Sequence, residues 1–215
     1  FEWSDSFSYN RGKVLGFEEL EKLDSYGRYL DSDNDGICYR TYPGTHPEKG
    51  AYFTRGTSHD EYARYTEDGN INAETLMRLM RKFRTASELV PPPIIEINGE
   101  DSCGIIYYGS SKPAVLEAKD ILKTKDINVD LMQIRSFPFN LDVWEFIASH
   151  DRIYVVEQNR DSQMRTLIMA EGGISAEILR PLVHFTGDPI EASYIVNKIS
   201  EREVNYKSHK NIKER

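Results

Sequence analysis

Three stretches of this 215-residue sequence bring together side chains able to do chemistry. The first is Asp31-Ser32-Asp33-Asn34-Asp35-Gly36. It opens like a calcium loop, with alternating oxygen ligands and a turn glycine in sixth place. Such a loop closes on a bidentate glutamate at position twelve, where this chain has Tyr42. Asp31, Asp33 and Asp35 are thus candidate ligands for an ion completed by backbone carbonyls. The alternative is a solvated Asn-Asp-Gly turn. The second stretch is the strand-to-helix passage around Gly109, Ser110, Ser111 and Lys112, with Pro113 early in the helix. Free amides at a helix start favour anions, so these four are candidate phosphate contacts. The alternative is a helix capped by Ser110 or Ser111. No GxGxxG fingerprint is present, so NAD binding is not supported. The third is Glu157-Gln158-Asn159-Arg160 at the end of the strongest strand, with Arg135 leaving another strand at the same edge. A polar network tying loops together is the favoured reading there.

The segment 31–68 also crowds Arg40, Thr41, His46, Arg55, Thr57, His59, Asp60, Glu61 and Arg64 into a stretch with almost no hydrophobic periodicity. Long irregular loops of this kind supply contacts while regular elements supply the scaffold. His59 beside Asp60 and Glu61 invites a general base. No serine or cysteine nucleophile accompanies it, and no second histidine stands at metal-ligand spacing. A lone histidine beside acids is more often a hydrogen-bonded structural group. No residue is therefore assigned a catalytic role. Arg40, Arg55, His59, Asp60 and Arg64 are expected to serve an interface.

Composition narrows the classes. The formal net charge is −8, which argues against a nucleic-acid footprint. No apolar run approaches the ~20 residues of a membrane span, and the first residues do not read as a signal peptide. The two cysteines, Cys38 and Cys103, form no CxxC, so no iron–sulfur or structural zinc ligand set is expected in this chain. Isolated cysteines without an export signal fit a reducing cytoplasm. A chain that starts with Phe1 fits a fragment, or a chain trimmed to its ordered part.

Stepping these residues onto elements gives two regions. Phe17, Leu20 and Leu23 sit at helical spacing and predict a short helix over 17–26. A clear helix is predicted over 72–90, with Leu76, Met77, Leu79, Met80, Phe83, Ala86 and Leu89 on one face and the arginines elsewhere. Pro91-Pro92-Pro93 stops it and marks the best boundary in the chain. Beyond it the pattern alternates. Strands are expected over 104–108, 129–134, 152–157 and 182–185, and helices over 112–123, 141–149, 161–171 and 189–200. That alternation predicts an α/β fold: a small doubly wound, mostly parallel sheet with helices on its faces. In such a sheet ligands bind outside the carboxyl ends of the strands. The division expected is an irregular connector with a long helix over 1–93, the α/β domain over 94–205 and a polar tail over 206–215.

Taken in order, the runs YRTYPGTHPEKGAYFTRGTSHDEYARYTED, LMRLMRKFRTA, GIIYYGSSKPAVLEA, IRSFPFN and RIYVVEQNRDSQM resemble the α subunits of 2-oxoacid:ferredoxin oxidoreductases, particularly the 2-oxoglutarate type. The resemblance spans roughly residues 10–200. It implies that 94–205 is a transketolase C-terminal-like domain and that a pyrimidine-binding domain would precede Phe1. It implies an enzyme that decarboxylates a 2-oxoacid on thiamine diphosphate with Mg2+. Electrons then pass through a 4Fe-4S cluster to ferredoxin, and the acyl group passes to coenzyme A. Neither thiamine diphosphate nor the cluster is expected on this piece alone, because both lie with the β subunit or the missing domain. The partners implied are the β subunit, ferredoxin and coenzyme A, with no nucleic acid and no membrane. Gly109, Ser110, Ser111 and Lys112 become candidate contacts for coenzyme A phosphates. The 40–64 loop would pack on β or cover the active-site entrance. Pyruvate and other 2-oxoacids stay open as substrates. A non-catalytic α/β interaction or ligand-binding module is the reading from another class, since a small doubly wound sheet by itself licenses no function.

Overall fold

The structure, a computed structural model, describes residues 6, 8–54, 58–99 and 103–213; for 205–213 it describes backbone alone. The chain divides into two units, Phe1–Leu89 and Val90–Arg215.

The second unit is the α/β part. Its elements are β1 (Ile94–Glu96), β2 (Cys103–Tyr108), a 3-10 turn (Gly109–Ser111), α3 (Lys112–Lys123), β3 (Val129–Ile134), α4 (Leu141–Ala148), β4 (Ile153–Glu157), α5 (Gln163–Gly172), β5 (Leu179–Val183) and α6 (Ala192–Lys213). The sheet order is β1-β3-β2-β4-β5. β3, β2, β4 and β5 run parallel, and β1 adds an antiparallel edge. Side chains alternate with period two, so each strand feeds two cores. Ile105, Tyr107, Val129, Leu131, Tyr154 and Val156 pack beneath residues of α3 and α6. Ile106, Met132, Ile134, Ile153 and Val155 pack beneath residues of α4 and α5. Helices thus cover both faces, which is the doubly wound α/β arrangement expected. Gly172 shows how tight the second layer is. A Cβ there would come within 2.3 Å of the Trp144 ring.

Several boundaries differ from expectation, each for a physical reason. β5 begins at Leu179 and contains Pro181. A proline is tolerated there because β5 is an edge strand, with one side of its backbone free of the ladder. β1 is only three residues long and exposed at its first two, so it left no alternation to read. α6 continues through Lys213, into the stretch expected to be a polar tail. Neither proline nor glycine stands there to stop it, and Glu203, one turn earlier, anchors the helix inside the unit.

Among the described residues the first unit has two helices, α1 (Phe17–Glu21) and α2 (Gly69–Leu89). α1 is one turn, held at its start by the Glu19 carboxylate, which accepts from Gly16 N at 2.9 Å. Leu20 from this turn is fully buried. α2 docks on the 31–36 loop through its polar side, not its apolar one. Arg78 donates to Gly36 O at 3.1 Å, Thr85 to Asp35 O at 2.6 Å and Arg81 to Asp31 Oδ2 at 2.9 Å. Gly36 adopts φ +81°, and a Cβ there would lie 2.2 Å from Lys82 N. Only glycine permits that approach of loop to helix. The apolar face of α2 points outward instead: Leu76, Met77 and Met80 are each more than half exposed.

Candidate functional site

The strand order turns about β2: β3 lies on one side of it and β4 on the other. The carboxyl ends of β2 and β4 therefore form the crevice where doubly wound sheets bind ligands. Both sequence candidates of this unit meet there. Gln158 donates through Nε2 to Ser110 Oγ at 2.9 Å and to Ser111 Oγ at 3.3 Å. Its Oε1 accepts from Ile190 N at 3.3 Å. Asn159 Nδ2 donates to Glu157 Oε2 at 2.8 Å and reaches Tyr108 OH at 3.4 Å. Burial and the neighbouring Glu157 carboxylate both raise the Tyr108 phenol. That hydroxyl gave no signal in the sequence, because a strand tyrosine reads as core.

The two helix starts at this crevice are furnished differently. At α5 the amides are already taken. Glu157, fully buried, accepts from Met164 N at 2.7 Å and Arg165 N at 3.0 Å. Asn159 Oδ1 accepts from Asp161 N at 3.1 Å and Gln163 N at 3.2 Å. The polar network favoured for 157–160 is what the structure contains, and Glu157 is a helix cap supplied by the preceding strand. Arg160 turns outward to Asp161 at 2.7 Å. Ser136, next to Arg135, donates to Pro91 O at 2.6 Å. At α3 no side chain caps the helix. The serine cap weighed above is thus replaced: the hydroxyls of Ser110 and Ser111 accept from Gln158 instead. Gly109 sits in the left-handed region at φ +57° with open space where a Cβ would stand. Gly109, Ser110 and Lys112 are exposed while Ser111 is buried. This end can receive an anion on backbone amides, two hydroxyls and an ammonium.

In the first unit the acidic run does not gather around a point. Lys13 Nζ lies 2.6 Å from Asp33 and 2.7 Å from Asp35, and Asp31 faces Arg81. Hydrogen bonds from Lys13 hold both Asp33 and Asp35 below the usual aspartate range. Burial alone would lower the Lys13 ammonium, but the two carboxylates outweigh it and raise it. The suggested cation at Asp31, Asp33 and Asp35 gives way to side-chain cations of the chain itself. Among the described residues no group of three or more His, Cys, Asp and Glu side chains is placed to hold a metal ion.

The loop histidines are structural or wall-forming. His46 is buried; its Nδ1 accepts from Glu48 N at 3.0 Å and Lys49 N at 2.8 Å, so its Nε2–H donates to Glu21 at 2.7 Å. That bond holds the Glu21 carboxyl low. His59 stacks on Tyr29 with ring centroids 3.7 Å apart, and its Nδ1 meets the Asp60 carbonyl at 3.1 Å, not an acid. Asp60 spends its carboxylate on Tyr62 N and Arg64 N, closing a turn in which Ala63 takes φ +68°. Arg64 is exposed over the Tyr62 ring. Arg55 and Thr57 lie outside the described residues. Arg40 and His59, far apart in sequence, come together on the wall of a cavity of about 540 Å³. Arg11, Arg28, Arg78 and Lys82 share that wall and were missed. Their scattering over a loop and a helix leaves no local motif to find.

No protein-family model matches the chain. Curated proteins similar to it are α subunits of oxidoreductases. It is 28% identical over 200 residues to 2-oxoacid:ferredoxin oxidoreductase 2, subunit alpha, of Aeropyrum pernix, a match covering 89% of this chain and 29% of that protein. It is 28% identical over 124 residues to the 2-oxoacid:ferredoxin oxidoreductase subunit alpha of Saccharolobus solfataricus, covering 55% of this chain and 20% of that protein. In three dimensions it resembles the 2-oxoglutarate:ferredoxin oxidoreductase of Magnetococcus marinus, solved with 2-oxoglutarate, coenzyme A and succinyl-CoA bound. The TM-score is 0.73 at 23% identity, covering 84% of this chain and 31% of that one. That likeness bears out the α/β fold. The chain spans less than a third of the length of each of these proteins. The sequence relatives bear out the resemblance to 2-oxoacid:ferredoxin oxidoreductase α subunits, which are subunits of an oxidoreductase enzyme.

Proposed function

We propose, from this kinship with 2-oxoacid:ferredoxin oxidoreductase α subunits, that the chain is a part of such a subunit and works in a complex with a β subunit. The observation that carries the reading is the 28% identity to the Aeropyrum pernix subunit across 89% of this chain. The complex would oxidatively decarboxylate a 2-oxoacid, with 2-oxoglutarate the favoured substrate, form the acyl-CoA and reduce ferredoxin. The unit beginning at Val90 would be its transketolase C-terminal-like domain. Thiamine diphosphate with Mg2+ and a 4Fe-4S cluster would serve the whole enzyme. The cluster does not fit this chain: it needs four thiolates, and the sequence has two cysteines, divided between the two units. Its ligands belong to the rest of the assembly.

Coenzyme A is the ligand this chain is best furnished to touch. The uncapped start of α3 offers amides at Gly109, Ser110 and Ser111 and the Lys112 ammonium to its phosphates. Arg40, Arg55, His59, Asp60 and Arg64 mark the loop proposed to face β. No described helix is long and apolar enough to cross a membrane, and the site proposed for the complex is the cytoplasm.

The test is purification of the native complex and measurement of 2-oxoacid-dependent dye reduction with coenzyme A. Turnover with 2-oxoglutarate above pyruvate, branched-chain and indole oxoacids is expected. Absence of turnover with every 2-oxoacid sinks the reading and favours a non-catalytic module. Replacing Ser110 and Ser111 by bulky residues should raise KM for coenzyme A about tenfold with kcat kept, a loss of about 1.4 kcal/mol of binding. An unchanged KM removes the phosphate contact from the proposal.

A further inference from the structure

The cavity of about 540 Å³ in the first unit has a lining that departs from the rest of the chain. The chain carries a net charge of −8, yet Arg11, Lys13, Arg28, Arg40, Arg78 and Lys82 line this one space, and no Asp or Glu does. Lys13 is taken by Asp33 and Asp35. The other five have no carboxylate within ion-pair distance among the described residues. What they touch instead is neutral. Arg40 donates to Arg11 O at 2.6 Å and Arg78 to Gly36 O at 3.1 Å. Arg28 lies over the Tyr29 ring at 5.1 Å and the Tyr52 ring at 5.6 Å. These contacts orient the guanidiniums without pairing them to a carboxylate.

A second observation points the same way. Arg28 Nε is buried and has no hydrogen-bond partner. A buried donor left unmade is costly, and native structures keep few without a reason. Clustered like charges also repel, so five unneutralised cations around one space favour an occupant with several negative charges. The volume falls in the range of small-molecule sites and exceeds what a lone ion fills. The guanidinium fork matches phosphate and carboxylate oxygens, and phosphate brings more charge per group. The stacked Tyr29–His59 pair and the Leu76 and Leu79 side chains complete the wall with apolar surface for the body of the ligand.

We propose that this cavity is a binding site for a small phosphate-bearing polyanion, held by Arg11, Arg28, Arg40, Arg78 and Lys82. It lies wholly within the first unit and does not depend on the reaction proposed above; it assigns Arg40 and His59 to the cavity wall and leaves Arg55, Asp60 and Arg64 to the proposed β contact.

Cys38 lines the same cavity and is half-buried, so its thiol reports occupancy. The full chain, with any subunits that copurify, is labelled with a thiol reagent at low ionic strength while inorganic pyrophosphate is titrated in. Saturable slowing of Cys38 labelling by at least fivefold is expected, weakening as salt is raised. The variant Arg11→Gln with Lys82→Gln should shift the half-protection concentration upward at least tenfold. Among the described residues neither side chain makes an ion pair or donates a hydrogen bond, and an unchanged urea-unfolding midpoint verifies the fold of the variant, whose half-protection concentration is read against its own unprotected rate. An Arg28→Lys variant keeps the charge but loses the fork, and should also weaken protection. No protection by pyrophosphate overturns the proposal. So does equal protection in the double variant, or stronger protection by a tricarboxylate than by pyrophosphate. The readout needs no turnover, so it fails or succeeds separately from the assigned reaction.

Discussion

In the unit from Val90 onward, Ile105, Ile106, Tyr154 and Ile195 are buried almost completely, whereas among the described residues before it the buried apolar side chains are Leu20 and Ala63. The first unit is held by a different set of forces. Lys13 bridges Asp33 and Asp35, Arg81 pairs with Asp31, and Arg28, Arg40, Arg64 and Arg78 lie over tyrosine rings. Exposed ion pairs contribute little each, and exposed cation–π contacts about 0.5–1 kcal/mol. Burial of an aliphatic side chain contributes about 1.5–3 kcal/mol. The second unit therefore carries most of the chain's own stability. The first unit keeps its shape by many weak, directional contacts and presents cations and apolar side chains outward.

The largest effect that could break this comparison lies in a buried ion pair of the second unit. Glu203 is buried and accepts from Arg152 Nε at 2.8 Å and from Tyr154 OH at 2.8 Å. Burial and the Glu203 charge together raise the Tyr154 phenol, so it stays a donor. Glu203→Ala leaves a buried guanidinium without its carboxylate and should cost about 3–5 kcal/mol in urea unfolding followed by circular dichroism. The nearest cut in the first unit, Asp31→Ala, takes the carboxylate from a half-exposed Arg81 and the acceptor from Gly36 N at 2.9 Å; with one partner partly solvated it should cost less, about 1–2 kcal/mol. Equal costs would mean that the two units are not held differently.

The thiols give the next contrast. Burial pushes the Cys103 thiol up to about 12, and it raises that of the half-buried Cys38 as well. At pH 8 the Cys103 thiolate fraction is on the order of 10⁻⁴, and no reagent reaches it without opening. Native labelling should show Cys38 reacting first and Cys103 only at the rate of unfolding. Two thiols reacting at one rate would remove the difference in burial.

Acid sharpens the contrast further. Asp33 and Asp35 titrate below the unfolded aspartate value, so their pairing with Lys13 stabilises above that value and is lost as pH falls through the lowered folded range. Lys13 titrates above its unfolded value, so its contribution is complete below that value and is lost only as pH rises beyond it. Between those limits both are in place. The protection of Arg40 N, bonded to Lys13 O at 2.9 Å, measured against the intrinsic exchange rate at each pH, should fall below about pH 4 before that of the β2 amides does. Exchange of both at one pH would show a single cooperative unit.

How much of this was legible follows from the same contrast. Strands β2, β3 and β4 announce themselves because burial on both faces demands apolar runs bounded by turns. β5 slipped by three residues because Pro181 reads as a break until its edge position is known. The crevice between Ser110 and Gln158 followed from alternation and the switch-point rule. Its internal assignment did not, since which side chain caps which helix depends on contacts between residues 47 or 48 apart in the chain. In the first unit sequence pattern was least informative. Periodicity found the apolar face of α2 but could not say whether that face turns inward. It is Arg78, Arg81 and Thr85 that dock, because Gly36 brings backbone against backbone there.

The smallest effect on stability tests what that outward face is for. Met80 is 53% exposed on α2, so Met80→Ser should change the unfolding free energy of the chain by less than about 0.5 kcal/mol. A surface that exists only to meet solvent would show no other consequence. If the face is completed by the proposed β subunit with Met80 fully covered, the same substitution weakens assembly, since an apolar side chain of that size loses about 1 kcal/mol or more of burial. Size-exclusion of the complex at falling concentration would then show Met80→Ser dissociating at roughly fivefold higher concentration than the parent, in line with that energy. Unchanged dissociation together with unchanged stability would leave α2 outside the interface. The polar loop would then have to make the proposed contact alone.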